Sequence, residues 1–243
     1  MKTLYAVFGV AVFAVTYIQT IPISEEGAEY YWKRSDIFEG DIVLDRDQKN
    51  GVIKEIRRWP NREIPYVIGP EYTEKQKAII KTSLTAFDKT CLKVRERNST
   101  DKDYVYFTYE VSGCFSAVGR QGGKQKINLS KNCMYKSTVI HEFLHAVGFH
   151  HMQNNFNRDE YVTIMFENLE AGAEGYFTKY NSSYVTDFGL PYDYGSIMHY
   201  GRKDFSKNGK DTIVPKDPSA VIGLAQDMSK IDLAKITAMY KCS

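Results

Sequence analysis

"HEFLHAVGFHH" occupies residues 141–151 and gathers four of the chain's five histidines. His141 and His145 stand four residues apart, so on an α-helix they project from one face, a turn apart, and both imidazoles can reach one metal ion at about 2.0–2.1 Å. Glu142 points about 100° further round such a helix, beside the ion and within reach of its water, without being a ligand. Gly148 lets the backbone leave the helix sharply, and His151 then swings back as a third nitrogen donor. Three nitrogens leave a fourth position open, which separates a catalytic zinc site from a closed structural one. A bare H-E-x-x-H also occurs on ordinary surface helices, but H-E-x-x-H-x-x-G-x-x-H fixes five residues at set offsets. His150 has no place in that spacing and is assigned to packing or to contact behind the ligands.

Working outward, the cluster sits on a helix expected to start at Ser137 as N-cap, to run over 138–147, and to stop at Gly148. Upstream, 73–88 reads as a helix in which Thr73 and Gln76 form a capping-box pair and Ile79, Ile80, Leu84 and Phe87 share a face. Strands are expected at 64–68, 104–110 and 126–129, with Gly122-Gly123 as a turn. A third helix is expected over 229–240, with Leu233, Ile236 and Tyr240 at helical spacing. The chain between His151 and Met228 is rich in Gly, Asn, Asp and Tyr and is expected to be mostly irregular. Within it, Ser196-Ile197-Met198-His199-Tyr200 offers a methionine in a tight turn as an apolar floor under the histidines and a phenol two residues on.

The first twenty residues, MKTLYAVFGVAVFAVTYIQT, place one lysine before a short apolar run and read as a secretory signal peptide. No later stretch approaches the roughly 20 apolar residues that span a bilayer, so a secreted, extracellular protein without a membrane anchor is expected. Lys plus Arg number 32 against 30 Asp plus Glu, with no basic block, which argues against a nucleic-acid partner. Cys91, Cys114, Cys133 and Cys242 favour two disulfides, with three connectivities open, over a zinc cage, because no short C-x-x-C spacing is present. Asn98, Asn128 and Asn181 begin N-x-S/T sequons and are candidate glycosylation sites.

With these residues in place, the chain resembles the astacin family of metzincin zinc endopeptidases. The resemblance runs through HEFLHAVGFHH, RDEYVTI, YDYGSIMHYG, GCFSAVGR and RWPNREIPYVI. It implies an α+β, two-lobed metzincin-type fold: an N-terminal lobe with a twisted mixed sheet and two helices, and a mostly irregular C-terminal lobe with one helix. It implies one Zn2+ held by His141, His145 and His151, Glu142 as general base, Met198 as the Met-turn residue, and Tyr200 as the phenol that stabilises the tetrahedral intermediate. It pairs Cys91 with Cys242 and Cys114 with Cys133. Phe38-Glu39-Gly40-Asp41 resembles the motif whose aspartate blocks the zinc in a latent precursor, so Asp41 is read as an inhibitory ligand. The implied layout is a signal peptide at 1–20, a pro-segment at 21–49 removed by an activating protease near Lys49, and a catalytic domain at 50–243. The implied partner is a protein or peptide lying extended in the cleft along an edge strand, and the implied state is a monomer. A binding module that has lost proteolysis is the rival from another class, and Glu142 argues against it. Two positions depart from the family pattern. Met152 follows the third histidine where a glutamate ordinarily bonds the new N-terminus, and a thioether cannot accept that ammonium. Leu224 follows Gly223 where a polar residue is expected.

Overall fold

The computed structural model describes residues 37–43 and 55–242. The expected signal peptide, most of the expected pro-segment and the cleavage site near Lys49 lie outside the described residues. Five strands form one sheet in the order β2-β1-β3-β5-β4: β1 Glu63–Ile68, β2 Lys93–Glu96, β3 Tyr104–Thr108, β4 Cys114–Ser116 and β5 Lys124–Leu129. The first three pairings are parallel and β4 returns antiparallel to β5, so β4 is an edge. The sheet is therefore mixed, in an α+β fold. β3 stops two residues earlier than its aromatic alternation suggests. The Asn128 side chain accepts from the amides of Glu110 and Val111 and takes those residues out of the ladder.

Two helices pack behind the sheet. α1 Glu74–Leu84 begins at the Thr73–Gln76 capping box, with Gln76 N–H donating to Thr73 Oγ1. It tightens into a 3-10 turn at Thr85–Lys89 rather than continuing as α-helix to 88. Ser83 and Thr85 hydroxyls bond back to the carbonyls of Ile79 and Thr82, a local competition that helix ends accommodate. α2 Lys136–Val147 is buried from Thr138 onward on every face, as a helix threaded through a core must be. Phe143 from α2 stands 4.9 Å from Phe87 and 6.1 Å from Phe107, tying helix to helix and helix to sheet. The expected N-cap at Ser137 is corrected. Tyr135 takes the extended cap conformation, set by the 3-10 turn Lys131–Cys133 directly before it, and Val139 N–H donates to its carbonyl.

The segment from His151 to Met228 carries one small antiparallel pair, β6 Val162–Ile164 with β7 Ile213–Pro215, among short 3-10 turns. Its own apolar cluster includes Met152, Val162, Phe177, Tyr192, Tyr200 and Phe205. α3 Lys230–Met239 follows, capped by Ser229, whose hydroxyl accepts from Ile231 and Asp232 amides. It returns Ile236, Met239 and Tyr240 to the first core. There Tyr240 donates to the Val147 carbonyl at 2.8 Å and the Trp59 indole donates to the Ala146 carbonyl at 2.8 Å. Two otherwise orphaned carbonyls at the end of α2 are thereby satisfied, which holds that end in place. Disulfides join Cys91 to Cys242 and Cys114 to Cys133. The second fixes β4 against the chain that leads into α2.

Candidate active site

α2 brings His141 and His145 to one face, and Gly148 ends the helix with φ 126°. A side chain there would be strained at that φ, and its Cβ would meet Met239 Sδ at 3.4 Å. The chain turns and delivers His151, so the three imidazole centroids stand 4.8–5.2 Å apart. Each ring is oriented from behind. His141 Nδ1 lies 2.8 Å from the Ile197 carbonyl, His145 Nδ1 2.7 Å from the Phe149 carbonyl, and His151 Nδ1 2.7 Å from Glu39 Oε2. An N–H on each Nδ1 leaves every Nε2 lone pair facing the common centre.

Asp41 lies in that centre. Its Oδ2 is 3.1 Å from His151 Nε2 and 3.3 Å from His141 Nε2, and its Oδ1 is 3.6 Å from His145 Nε2. One ligand atom from each of Asp41, His141, His145 and His151 falls within 4.8 Å of the others, all buried. Asp41 Oδ1 and His145 Nε2 are buried without a hydrogen-bond partner. That is expensive for polar atoms unless a cation draws them together, so the donor set of three nitrogens and one oxygen fits zinc. Burial works against ionisation of Asp41, but the His151 charge beside it and the close approach of the His141 and His151 rings hold its carboxyl well below the usual range. Burial likewise lowers His141, and lowers His145 to about 4. It also disfavours the charged form of His151, yet Asp41 and Glu39 push that ring up to about 9.

Glu142 is fully buried beside these ligands. Met198 is buried in the turn below, and its carbonyl accepts from the Met152 amide at 2.9 Å. Tyr200 packs its ring 4.5 Å from that of His151 and donates its hydroxyl to the Glu39 carbonyl. Residues 41–43 lie along β4: Val43 N–H donates to the Ser116 carbonyl at 2.8 Å, and Ser116 N–H donates to the Asp41 carbonyl at 2.9 Å. Ile42 pairs with Ser116 in the parallel sense.

Among the sequons, Asn98 and Asn181 are exposed, whereas the expectation for Asn128 is corrected. Asn128 is 1 % exposed and its amide donates to the carbonyls of Val111 and Gly113, so this fold has no room for a glycan there. Three groups of the site escaped the sequence reading. Glu39 Oε1 accepts from Tyr180, whose hydroxyl also lies 3.1 Å from His150 Nδ1. The local hint was a carboxylate two residues before Asp41. Lys235 of α3 is buried and donates to Met152 Sδ at 3.1 Å, which corrects the expectation that this thioether accepts no ammonium: the sulfur is a weak acceptor and makes no ion pair, but an ammonium from within the chain stands at the position after the third histidine. Burial holds the Lys235 pKa below its usual value.

The architecture is that of an astacin-like zinc protease. It superposes on the high choriolytic enzyme 1 from Oryzias latipes, a hatching-enzyme zinc protease, with a TM-score of 0.71 at 34% identity, covering 84% of this chain and 100% of that one. The profile of the Astacin peptidase family matches residues 51–241, and the chain belongs to the astacin family. It is 43% identical over 199 residues to zinc metalloproteinase nas-8 of Caenorhabditis elegans, covering 81% of this chain and 49% of that protein. It is 39% identical over 215 residues to meprin A subunit beta of Rattus norvegicus, covering 86% of this chain and 30% of that protein. The chain thus spans about half the length, or less, of these curated relatives.

Proposed function

We propose that the protein is a secreted zinc endopeptidase made as a latent precursor, with a signal peptide at 1–20, a pro-segment at 21–49 and a catalytic domain at 50–243. His141, His145 and His151 hold the ion, and Asp41 fills the fourth position until an activating protease cuts near Lys49. Zinc bound there supplies Lewis acidity, lowering the pKa of water and polarising a peptide carbonyl. Glu142 would take a proton from the attacking water and pass it to the leaving amine, a two-way transfer suited to a buried carboxylate beside the histidines. Tyr200 donates to the oxyanion once the Glu39 carbonyl has left its hydroxyl. The substrate lies extended along β4, using the backbone groups of Ser116 that residues 41–43 occupy here.

The observation that carries this reading is the Asp41 carboxylate set among three inward-facing Nε2 atoms while the same segment covers β4 and Tyr200. Hydrolysis of a generic protein by the precursor and by protein cleaved near Asn50 tests it, each with and without a zinc chelator and beside Glu142→Gln. Activity should appear only after cleavage. Chelation should abolish it, and the substitution should lower it by about 10²–10⁴-fold. Folded, zinc-loaded, cleaved protein that stays inert would overturn it and favour a binding module.

A further inference from the structure

Two of the three inward-facing histidines are oriented by carbonyls of the family domain, Ile197 and Phe149, which sit beside the site whether or not any segment is removed. The third is oriented by a side chain from outside that domain. His151 Nδ1 meets Glu39 Oε2 at 2.7 Å, and both side chains are fully buried. Glu39 is itself held at a second point, since its other oxygen accepts from the Tyr180 hydroxyl. Its backbone adopts φ 50°, an uncommon conformation that packs carboxylate and carbonyl into the site together.

We infer that Glu39 is a positioning residue for the third zinc ligand, completing a carboxylate–histidine–zinc arrangement that the precursor has and the cleaved enzyme lacks. A carboxylate behind an imidazole fixes the tautomer and makes the distal nitrogen a better donor, and loss of such a partner typically costs about 10–100-fold in metal affinity. The segment that blocks the site therefore also tightens its hold on zinc. Loading is most favourable before cleavage, and processing yields an enzyme that releases zinc more readily for two separate reasons, the loss of Asp41 and the loss of Glu39. This rests on the reading of His151 as a ligand and of residues 37–43 as part of a removable pro-segment.

The test measures equilibrium zinc affinity by chelator competition on the full precursor, on Glu39→Gln, on Asp41→Asn and on the double variant. Using Asp41→Asn as a second background separates the effect of Glu39 from loss of the Asp41 ligand. Glu39→Gln should weaken zinc about 10-fold or more in both backgrounds. It should also move the His151 Nδ1 nitrogen resonance while leaving the Ser116 amide, which reports the seating of Asp41, where it was. Affinity within about twofold of the parent in either background would overturn the assignment. So would a Ser116 amide that moves together with His151, since Glu39 would then merely seat the segment. Latency is read independently, from proteolysis by the Asp41→Asn precursor, so a failure of the zymogen reading leaves the zinc measurement interpretable.

Discussion

The Tyr200 hydroxyl donates to the backbone carbonyl of Glu39, a contact between residues 161 positions apart. It commits the phenol packed on His151 to the segment that also carries Asp41. Burial, with Asp41 and Glu39 nearby, raises the Tyr200 pKa well above the usual phenol value, so the group is a neutral donor at any physiological pH. On the proposed activation by cleavage, loss of that segment would free the Tyr200 hydroxyl and the space held by Asp41 in the same event. In cleaved enzyme, Tyr200→Phe should lower kcat by about 10²–10³-fold, the usual cost of one oxyanion donor, with zinc content unchanged. A variant that keeps full kcat would remove Tyr200 from the mechanism.

How much of this was legible in the sequence depends on whether the determining contacts are local. α2 and the placing of its histidines follow from a four-residue repeat and a glycine, and α1 from a capping box, all within one or two turns of chain. β2, with the sequence KVRE, carries no apolar alternation and is a strand because its backbone pairs with β1, thirty positions away in register. β4 is three residues long and exists through β5 on one side and residues 41–43 on the other. Glu39 is visible in the sequence only as part of the Phe38-Glu39-Gly40-Asp41 motif, and its own contact is with His151, 112 positions away. The buried Asn128 is the same lesson in reverse: the sequon is local, and the carbonyls that consume its amide are not.

Tyr72 anchors the sheet end that leads toward α2. Its hydroxyl lies within bonding distance of the Thr108 and Leu129 carbonyls, the last residues of β3 and β5, and the side chain is 3 % exposed. Burial pushes its pKa upward. Tyr72→Phe leaves buried acceptors without a donor, so denaturant unfolding should show a loss of about 1–3 kcal/mol. An unchanged midpoint would mean that water replaces the phenol.

The Cys91–Cys242 bridge spans 151 residues and ties the start of β2 to the end of α3. Because it restricts a long loop in the unfolded chain, the double substitution to alanine should cost about 2–5 kcal/mol. Loss of Cys114–Cys133, which closes 19 residues, should instead be felt where β4 meets residues 41–43. Hydrogen exchange at Ser116 distinguishes the two: the shorter bridge should govern local opening, the longer one global unfolding.

Asp227 gives the fold a defined response to acid. Its carboxylate bonds Lys89 at 3.0 Å and Lys136 at 2.8 Å, linking the chain before α3 to the turn after α1 and to the first turn of α2. Burial opposes ionisation, but the two lysines and the Met228 amide prevail and hold the pKa at about 2. A carboxyl depressed in the folded state contributes stability above its unfolded pKa of about 3.9, and that contribution fades as the pH falls toward 2. Both lysines are half exposed, so salt screens the interaction and the effect is small. Asp227→Asn should therefore flatten the fall in stability between about pH 4 and pH 2 and leave the neutral-pH activity of cleaved enzyme unaltered. The difference from the parent should shrink as salt is raised. A parent and variant with the same acid limb at low salt would show that the two ion pairs contribute nothing to the folded state.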